Sequence, residues 1–180
     1  MTRREDVEPA ERFASLAHAK RGVVAVIIRE QRFLAIRRSA TVTAPHQICF
    51  PGGGIEAGET EDFALVREME EELGVQALPR KRIWESRTRW GTHLSWWLAE
   101  IPDDAMLRPN PAEVAEAFWS TAHSLIERTD LLGSVPDFIR AWELGHLELP
   151  CGRPPAIKWE AHPHLRSHVM SYRKKSDPRG

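Results

Sequence analysis

At 180 residues the chain has the length of one domain, and a single core of that size buries about 70% of the unfolded surface without a disulfide or metal staple. Hydrophobic residues are 42% and charged residues 28%, ordinary for a globular protein. With 25 Lys+Arg against 26 Asp+Glu, general adhesion to nucleic acid or membrane is not expected, and two cysteines, Cys49 and Cys151, exclude a disulfide scaffold.

Residues 1–20 are polar and weakly helical and read as an N-terminal arm. The charged stretch Met1–Arg12 lacks the apolar run of a signal peptide, and the longest apolar run, Val23–Ile28, is too short to span a bilayer. A cytoplasmic protein is therefore expected. Gly22–Ile28 reads as a buried, β-branched strand. Arg29–Gln31 breaks it, and Phe33–Ile36 is a second strand expected to pair with the first as a hairpin. Residues 39–45 are loop-like. Gln47–Phe50 is a short strand stopped by Pro51 and by a turn at Gly52, Gly53 and Gly54. A helix is predicted from Thr60 to Leu73, with Thr60 as N-cap, Glu61 and Asp62 at its positive end and Gly74 just past its C-terminus. Ile83–Arg89, His93–Ala99 and Ala117–Ser120 are strand candidates, with a proline-bearing loop at 102–111. Short helices follow near 122–127 and 136–144. The domain is expected to close at Leu149. Residues 150–180 carry Pro150, Pro154, Pro155, Pro163 and Pro178 without a period, and read as an irregular surface tail that folding does not need.

The predicted helix carries charges that it should not want. On a wheel of about 100° per residue, Leu65, Val66, Met69 and Leu73 form a core stripe. Glu68, Glu71 and Glu72 gather on a neighbouring face. Glu68 is i,i+3 to Glu71 and i,i+4 to Glu72, so the carboxylates repel. Glu71 and Glu72 also sit in the last turn, where the helix dipole favours cations. A hard divalent cation explains the arrangement, since Mg²⁺ takes carboxylate oxygens while keeping places for water and substrate phosphates. The glycine run just before the helix lets backbone approach a ligand.

From Gly53 the spacing runs through Glu59, Arg67-Glu68-Met69, Glu71-Glu72 and Gly74-Val75. This resembles the complete Nudix box of the Nudix hydrolase family; the resemblance extends over residues 20–146, and the domain is expected to span 21–149. The resemblance implies an α+β fold, an α/β/α sandwich with a mixed sheet. It implies hydrolysis of the pyrophosphate bond in a nucleoside diphosphate linked to another group, with Mg²⁺ or Mn²⁺. Glu68, Glu71, Glu72 and the carbonyl of Gly52 would hold the metal. Arg67 and Glu59 would pair to orient loop and helix. Family members differ in the general base; here it is read as Glu68, with Glu72 beside it and Glu113 and Glu116 as candidates outside the box.

Leu34-Ala35-Ile36-Arg37-Arg38-Ser39 followed by Phe50-Pro51-Gly52-Gly53 also resembles, in part, the coenzyme A pyrophosphatase branch. The chain departs from that branch at Thr43, where an arginine is expected, and at His46. Arg37 and Arg38 diverge in direction if the strand is extended, which leaves one of them free to face the pyrophosphate that the resemblance implies. Trp96 and Trp97 face opposite sides of a strand; one belongs to the core, and the other, or Trp90, could stack a base. Cys49 reads as a buried apolar residue. None of His46, His93, His162, His164 and His168 has metal-ligand spacing. The expected partner is a small nucleotide-type molecule, a homodimer stays open, and no nucleic acid or membrane is expected. A coenzyme A pyrophosphatase, or a non-catalytic nucleotide-binding regulator on the same fold, is the alternative.

Overall fold

The computed structural model describes residues 20–154 and 156–165. The expected N-terminal arm, Lys20 excepted, and the last fifteen residues of the tail lie outside the described residues. In chain order the strands are β1 (Arg21–Val26), β2 (Ile28–Arg29), β3 (Arg32–Arg38), β4 (Ile48–Cys49), β5 (Gly52–Gly54), β6 (Leu78–Arg87), β7 (His93–Glu100) and β8 (Val114–Ser120). The helices are α1 (Glu61–Leu73), α2 (Ala122–Ile126) and α3 (Ser134–Glu143). One sheet has the order β5-β1-β7-β6 and is mixed: β1 is parallel to β7 and antiparallel to β5. The other is built on β3, which pairs antiparallel with β2, β4 and β8.

The hairpin expected from the first two apolar strands is reduced to its tip. Val23–Ile27 are all buried, the pattern of an interior strand covered on both faces. β1 accordingly lies inside the mixed sheet, and the chain passes to the second sheet after Ile27. Only Ile28 and Arg29 pair with Phe33 and Arg32, across a two-residue turn in which Glu30 and Gln31 both have positive φ, 46° and 62°, as hairpin turns require. The glycine run read as a turn is a strand as well: Gly52 pairs with Val24 and Gly54 with Gly22. β6 begins before the predicted Ile83. It is a polar edge strand with two register shifts against β7, and bulges of that kind hide the alternation on which strand prediction depends.

Alternation along β7 sets the layers. Trp96 is fully buried and stacks on Phe138 of α3, centroids 4.7 Å apart at 14°. Its neighbour Trp97 points the other way, and its indole N–H donates to Glu61 at the start of α1, 3.0 Å. α1 and α3 therefore cover opposite faces of the mixed sheet, an α+β sandwich. Phe33, Phe50 and Trp84 complete the aromatic core around Phe138. Thr60 caps α1 through its backbone only; its hydroxyl donates to Asp62. Gly74 takes the left-handed conformation, φ 63°, that ends helices cheaply at glycine.

Among the described residues after Leu149 there are two 3₁₀ turns, Trp159–Ala161 and Pro163–Leu165, and no strand or α-helix; through Leu165 the segment is more than a surface tail. Ile157, Trp159 and Leu165 are buried in the core cluster. The Trp142 indole donates to the Gly152 carbonyl, 2.8 Å. Glu143 accepts from the Ile157 N–H, 3.1 Å, and from the Trp159 indole, 2.6 Å. Among the described residues no helix is long and apolar enough to cross a membrane.

Candidate active site

Two elements meet at the site: the glycine strand β5 and the C-terminal half of α1. Gly53 lies directly beneath Glu68, where a Cβ would fall 2.3 Å from the carboxylate. Only glycine lets the two approach so closely. Gly52, at φ +140°, turns its N–H toward α1 and donates to Glu72 Oε2, 2.9 Å. The β5 backbone thus presses on two box glutamates.

Arg67 holds the other side. Its Nε and Nη2 donate to the two oxygens of Glu59, 2.9 and 3.0 Å, and Nη2 also donates to the Gly54 carbonyl, 2.8 Å. Its Nη1 donates to both Glu68 and Glu71 at 2.9 Å. The Glu59–Arg67 pair ties the loop to the helix, and the hydrogen bond from Arg67 lowers the Glu59 pKa. The same guanidinium compensates the Glu68–Glu71 repulsion read from the helix wheel.

Glu68 and Glu72 are buried, 7% and 3% exposed, on a helix face otherwise made of Ala64, Leu65, Met69 and Leu73. Glu71 is exposed and turned to Arg67. A third carboxylate arrives from outside the box: Glu113, in the loop before β8, has an oxygen within 4.8 Å of oxygens of Glu68 and Glu72. Burial raises the pKa of Glu68, and that of Glu72 to about 8, opposed for Glu72 by the Gly52 N–H and reinforced by Glu68 and Glu113. Crowded carboxylates, two of them buried, are hard oxygen donors, and the guanidinium bonded to them, that of Arg67, reaches Glu68 and Glu71. That donor set suits Mg²⁺ or Mn²⁺. The described residues that could hold such an ion are Glu68, Glu72 and Glu113, with Glu71 and the backbone of Gly52 beside them.

On the far side of β5 lies a cavity of about 400 Å³, lined by Gly22, Gly52–Gly54, Phe50, Leu94, Leu132 and Ser134, with Lys20, Arg21 and Arg38 also on its wall. The structure separates the two arginines that the sequence left open. Arg38 lines the cavity, is anchored by its Nε to the Thr43 carbonyl at 2.7 Å, and lies within electrostatic reach of Glu72. Arg37 is engaged elsewhere: its Nη1 donates to Asp130 and to the His46 carbonyl, both 2.9 Å, and its Nε lies 3.6 Å from Glu116. That pairing also takes Glu116 away from the carboxylate cluster. Trp90 is 67% exposed at the β6–β7 turn, with Arg89 4.2 Å over its ring, and is not among the cavity residues. Cys49 is buried, as expected, and burial pushes its thiol to about 12. Glu113 is the residue that box spacing could not supply, although its place before Phe118-Trp119 marked it as a candidate.

A mixed-sheet sandwich with a glycine strand laid against a helix of paired glutamates defines a class, and sequence comparison names it. Residues 18–141 match the family described as NUDIX domain. The chain belongs to the Nudix family. It is 34% identical over 125 residues to an uncharacterised Nudix hydrolase of Streptomyces coelicolor, covering 63% of this chain and 65% of that protein. It is 34% identical over 76 residues to an 8-oxo-dGTP diphosphatase of Haemophilus influenzae, covering 42% of this chain and 56% of that one. The chain thus spans less than two thirds of the length of either relative. A MutT protein from Methanosarcina mazei shares the fold at TM-score 0.61 and 21% identity, over 71% of this chain and 94% of that one.

Proposed function

We propose that the protein is a divalent-metal-dependent hydrolase that cuts the pyrophosphate bond of a nucleoside diphosphate linked to another group. The observation that carries this reading is the convergence of Glu68, Glu72 and Glu113 beside the glycine strand. Glu68, Glu72 and Glu113, with Glu71 and the Gly52 carbonyl, are the residues to which we assign the cation. A bound Mg²⁺ or Mn²⁺ neutralises charge on the pyrophosphate and lowers the pKa of a water near it. Glu68 takes the proton from the attacking water; its carboxylate lies within 4.8 Å of Glu72 and Glu113 and is held by Arg67. Arg67 and Glu59 are positioning residues that keep β5 and α1 in register. Arg38, between Glu72 and the cavity, meets the phosphates. Arg37 braces the loop at Asp130 instead of contacting substrate.

Similarity to 8-oxo-dGTP diphosphatases puts nucleoside triphosphates at the head of the substrate panel. Coenzyme A stays on it through the Arg38-Ser39 and Phe50-Pro51-Gly52-Gly53 pattern. The test is a phosphate-coupled assay of oxidised and normal nucleoside triphosphates, ADP-ribose, NADH, dinucleoside polyphosphates and coenzyme A with Mg²⁺ and Mn²⁺. Turnover that stops in excess chelator is the expected result. Equal turnover in chelator would end the metal assignment, and binding without turnover would leave a non-catalytic regulator.

A further inference from the structure

The cavity across β5 from the carboxylate cluster has a stretch of floor made of glycine backbone. Gly22 and Gly54 face each other across the β1–β5 pair, and both line the cavity. Three consecutive glycines form β5; the backbone demands the first and the seat of Glu68 the second. Gly52 has a φ of +140°, and a Cβ there would fall 2.2 Å from the Val23 carbonyl oxygen; at Gly53 it would strike Glu68. Gly54 is different. It is a strand residue without positive φ, and a Cβ built on it meets no described atom within 4 Å. Glycine inside a strand weakens it and contributes no side chain to packing. Neither the backbone nor any described neighbour requires the missing Cβ. Among the described residues, what the glycine preserves is open space above the strand.

We propose that Gly54 is a specificity-determining residue that keeps the cavity floor bare so that the nucleobase of the substrate lies flat on the backbone of β1 and β5. This deepens, and rests on, the reading of the protein as a nucleotide pyrophosphohydrolase. The cavity volume, about 400 Å³, falls in the range of small-ligand sites. Phe50, Leu94 and Leu132 give apolar wall, Thr92 and Ser134 add hydroxyls, and Lys20 and Arg38 add positive charge; no described lining residue is a carboxylate. A nucleotide seated this way follows β5. Its base covers Gly54, and its phosphates run toward Gly52 and Gly53, where Glu72 and Glu68 lie against the strand. A ring on bare peptide is in full van der Waals contact. A Cβ would lift it by ~1.5 Å, the length of one carbon–carbon bond, and forfeit much of that contact.

Calorimetric titration of GMP, AMP and CMP onto the full chain, in chelator and again in Mg²⁺, reads this pocket without turnover. Gly54→Ala should weaken binding, and Gly54→Val should weaken it by ~10-fold or more, the scale of a misfitted methyl group. Ribose 5-phosphate, which has no base, should bind alike to all three proteins. Both variants should melt at or above the wild-type temperature, because a strand glycine has been replaced and nothing is struck. Equal nucleotide affinities across the three proteins would overturn the assignment, as would a wild type that binds none of the three nucleotides. A lower melting temperature for Gly54→Ala would also overturn it, by showing that the glycine serves packing. If binding follows the series but no substrate in the panel is hydrolysed, this inference stands and the catalytic reading falls.

Discussion

At the scale of single residues, two glutamates carry opposite lessons. Glu72 belongs to the box spacing and was legible. Its burial was not: the wheel put it beside the core stripe, whereas the structure places it 3% exposed under the Gly52 N–H. That burial has a pH signature. Glu72 is held at about 8 in the fold against an ordinary 4.5. Between those values the folded protein keeps a proton that the unfolded chain has released. Metal-free stability therefore falls as pH rises across this window, by at most ~1.4 kcal/mol per pH unit for this one proton, and the fall stops above it. Glu72→Gln keeps an oxygen for the Gly52 N–H and removes the titration. In chelator it should melt above wild type near the top of the window, with the gap closing toward its acid end. Metal should raise wild type selectively, because ligation stabilises the folded state that holds the site. Glu113 carries the second lesson. No fixed spacing joins it to the box, so only the folded chain shows it within 4.8 Å of Glu68 and Glu72. Glu113→Gln should lower kcat by at least about 10², the scale of losing a charge-stabilising or proton-transfer group. Glu116→Gln, whose carboxylate faces Arg37, should stay within a few-fold of wild type in the same assay.

The elements explain how Glu113 comes to the site. The last turn of α1 leaves backbone carbonyls without intrahelical partners, as every helix does. Here the loop before β8 supplies the donors: the Arg108 N–H bonds to the Leu73 carbonyl at 2.7 Å, and the Asn110 N–H to the Glu72 carbonyl at 2.9 Å. The same loop is gripped from the other side. Buried Ser39 donates from Oγ to the Ala112 carbonyl, 2.7 Å, and from its N–H to the Glu113 carbonyl, 2.8 Å, and Thr41 Oγ1 also donates to Ala112, 2.8 Å. These are contacts between backbone groups and small hydroxyls. They leave no periodicity or motif, which is why α1 was read almost to the residue while the loop that completes its chemistry was not. The hairpin failed for a related reason, since the apolar run of β1 says that the strand is buried without saying by which neighbours. Ser39→Ala should remove the Oγ bonds to the Ala112 carbonyl and to Thr41 while keeping the backbone bond to the Glu113 carbonyl, at about 1 kcal/mol of stability for each bond lost, and should lower kcat more than it raises KM, because the loop that carries Glu113 is held less firmly while the cavity is untouched. Ser39→Thr, which retains a hydroxyl, should recover most of that kcat. Equal losses in both variants would mean that the loop tolerates no change in volume at this position, and that the hydroxyl is not its anchor.

Across the whole molecule, the part shared with the family ends at residue 141, but the core does not. α3 covers the face of the mixed sheet opposite α1 through Phe138, and at its other end Leu132 and Ser134 form cavity wall. The segment through Leu165 fastens the C-terminal end of this helix. Glu143 binds Arg140, the Ile157 N–H and the Trp159 indole together, with the Arg140 guanidinium 5.4 Å over the Trp159 ring. Proline content and missing periodicity make residues 150–180 read as dispensable, yet irregular backbone can bury side chains without any repeat in the sequence, as Ile157, Trp159 and Leu165 do. Ending the chain at Leu149 removes buried Ile157, Trp159 and Leu165. At ~1.5–3 kcal/mol for each large apolar side chain, the loss is several kcal/mol. It also leaves half-buried Glu143 and the buried Trp142 indole short of partners, which adds to the cost. For a domain of this size, each kcal/mol lowers the melting temperature by about 2–4 °C, so the shortened chain should melt ~10 °C or more below the full chain. Trp159→Ala in the full chain should reproduce part of the drop without deleting backbone. Thermal unfolding of the three proteins followed by circular dichroism decides it. A shortened chain that unfolds cooperatively within a degree or two of the full chain would return the segment to the status of a surface tail.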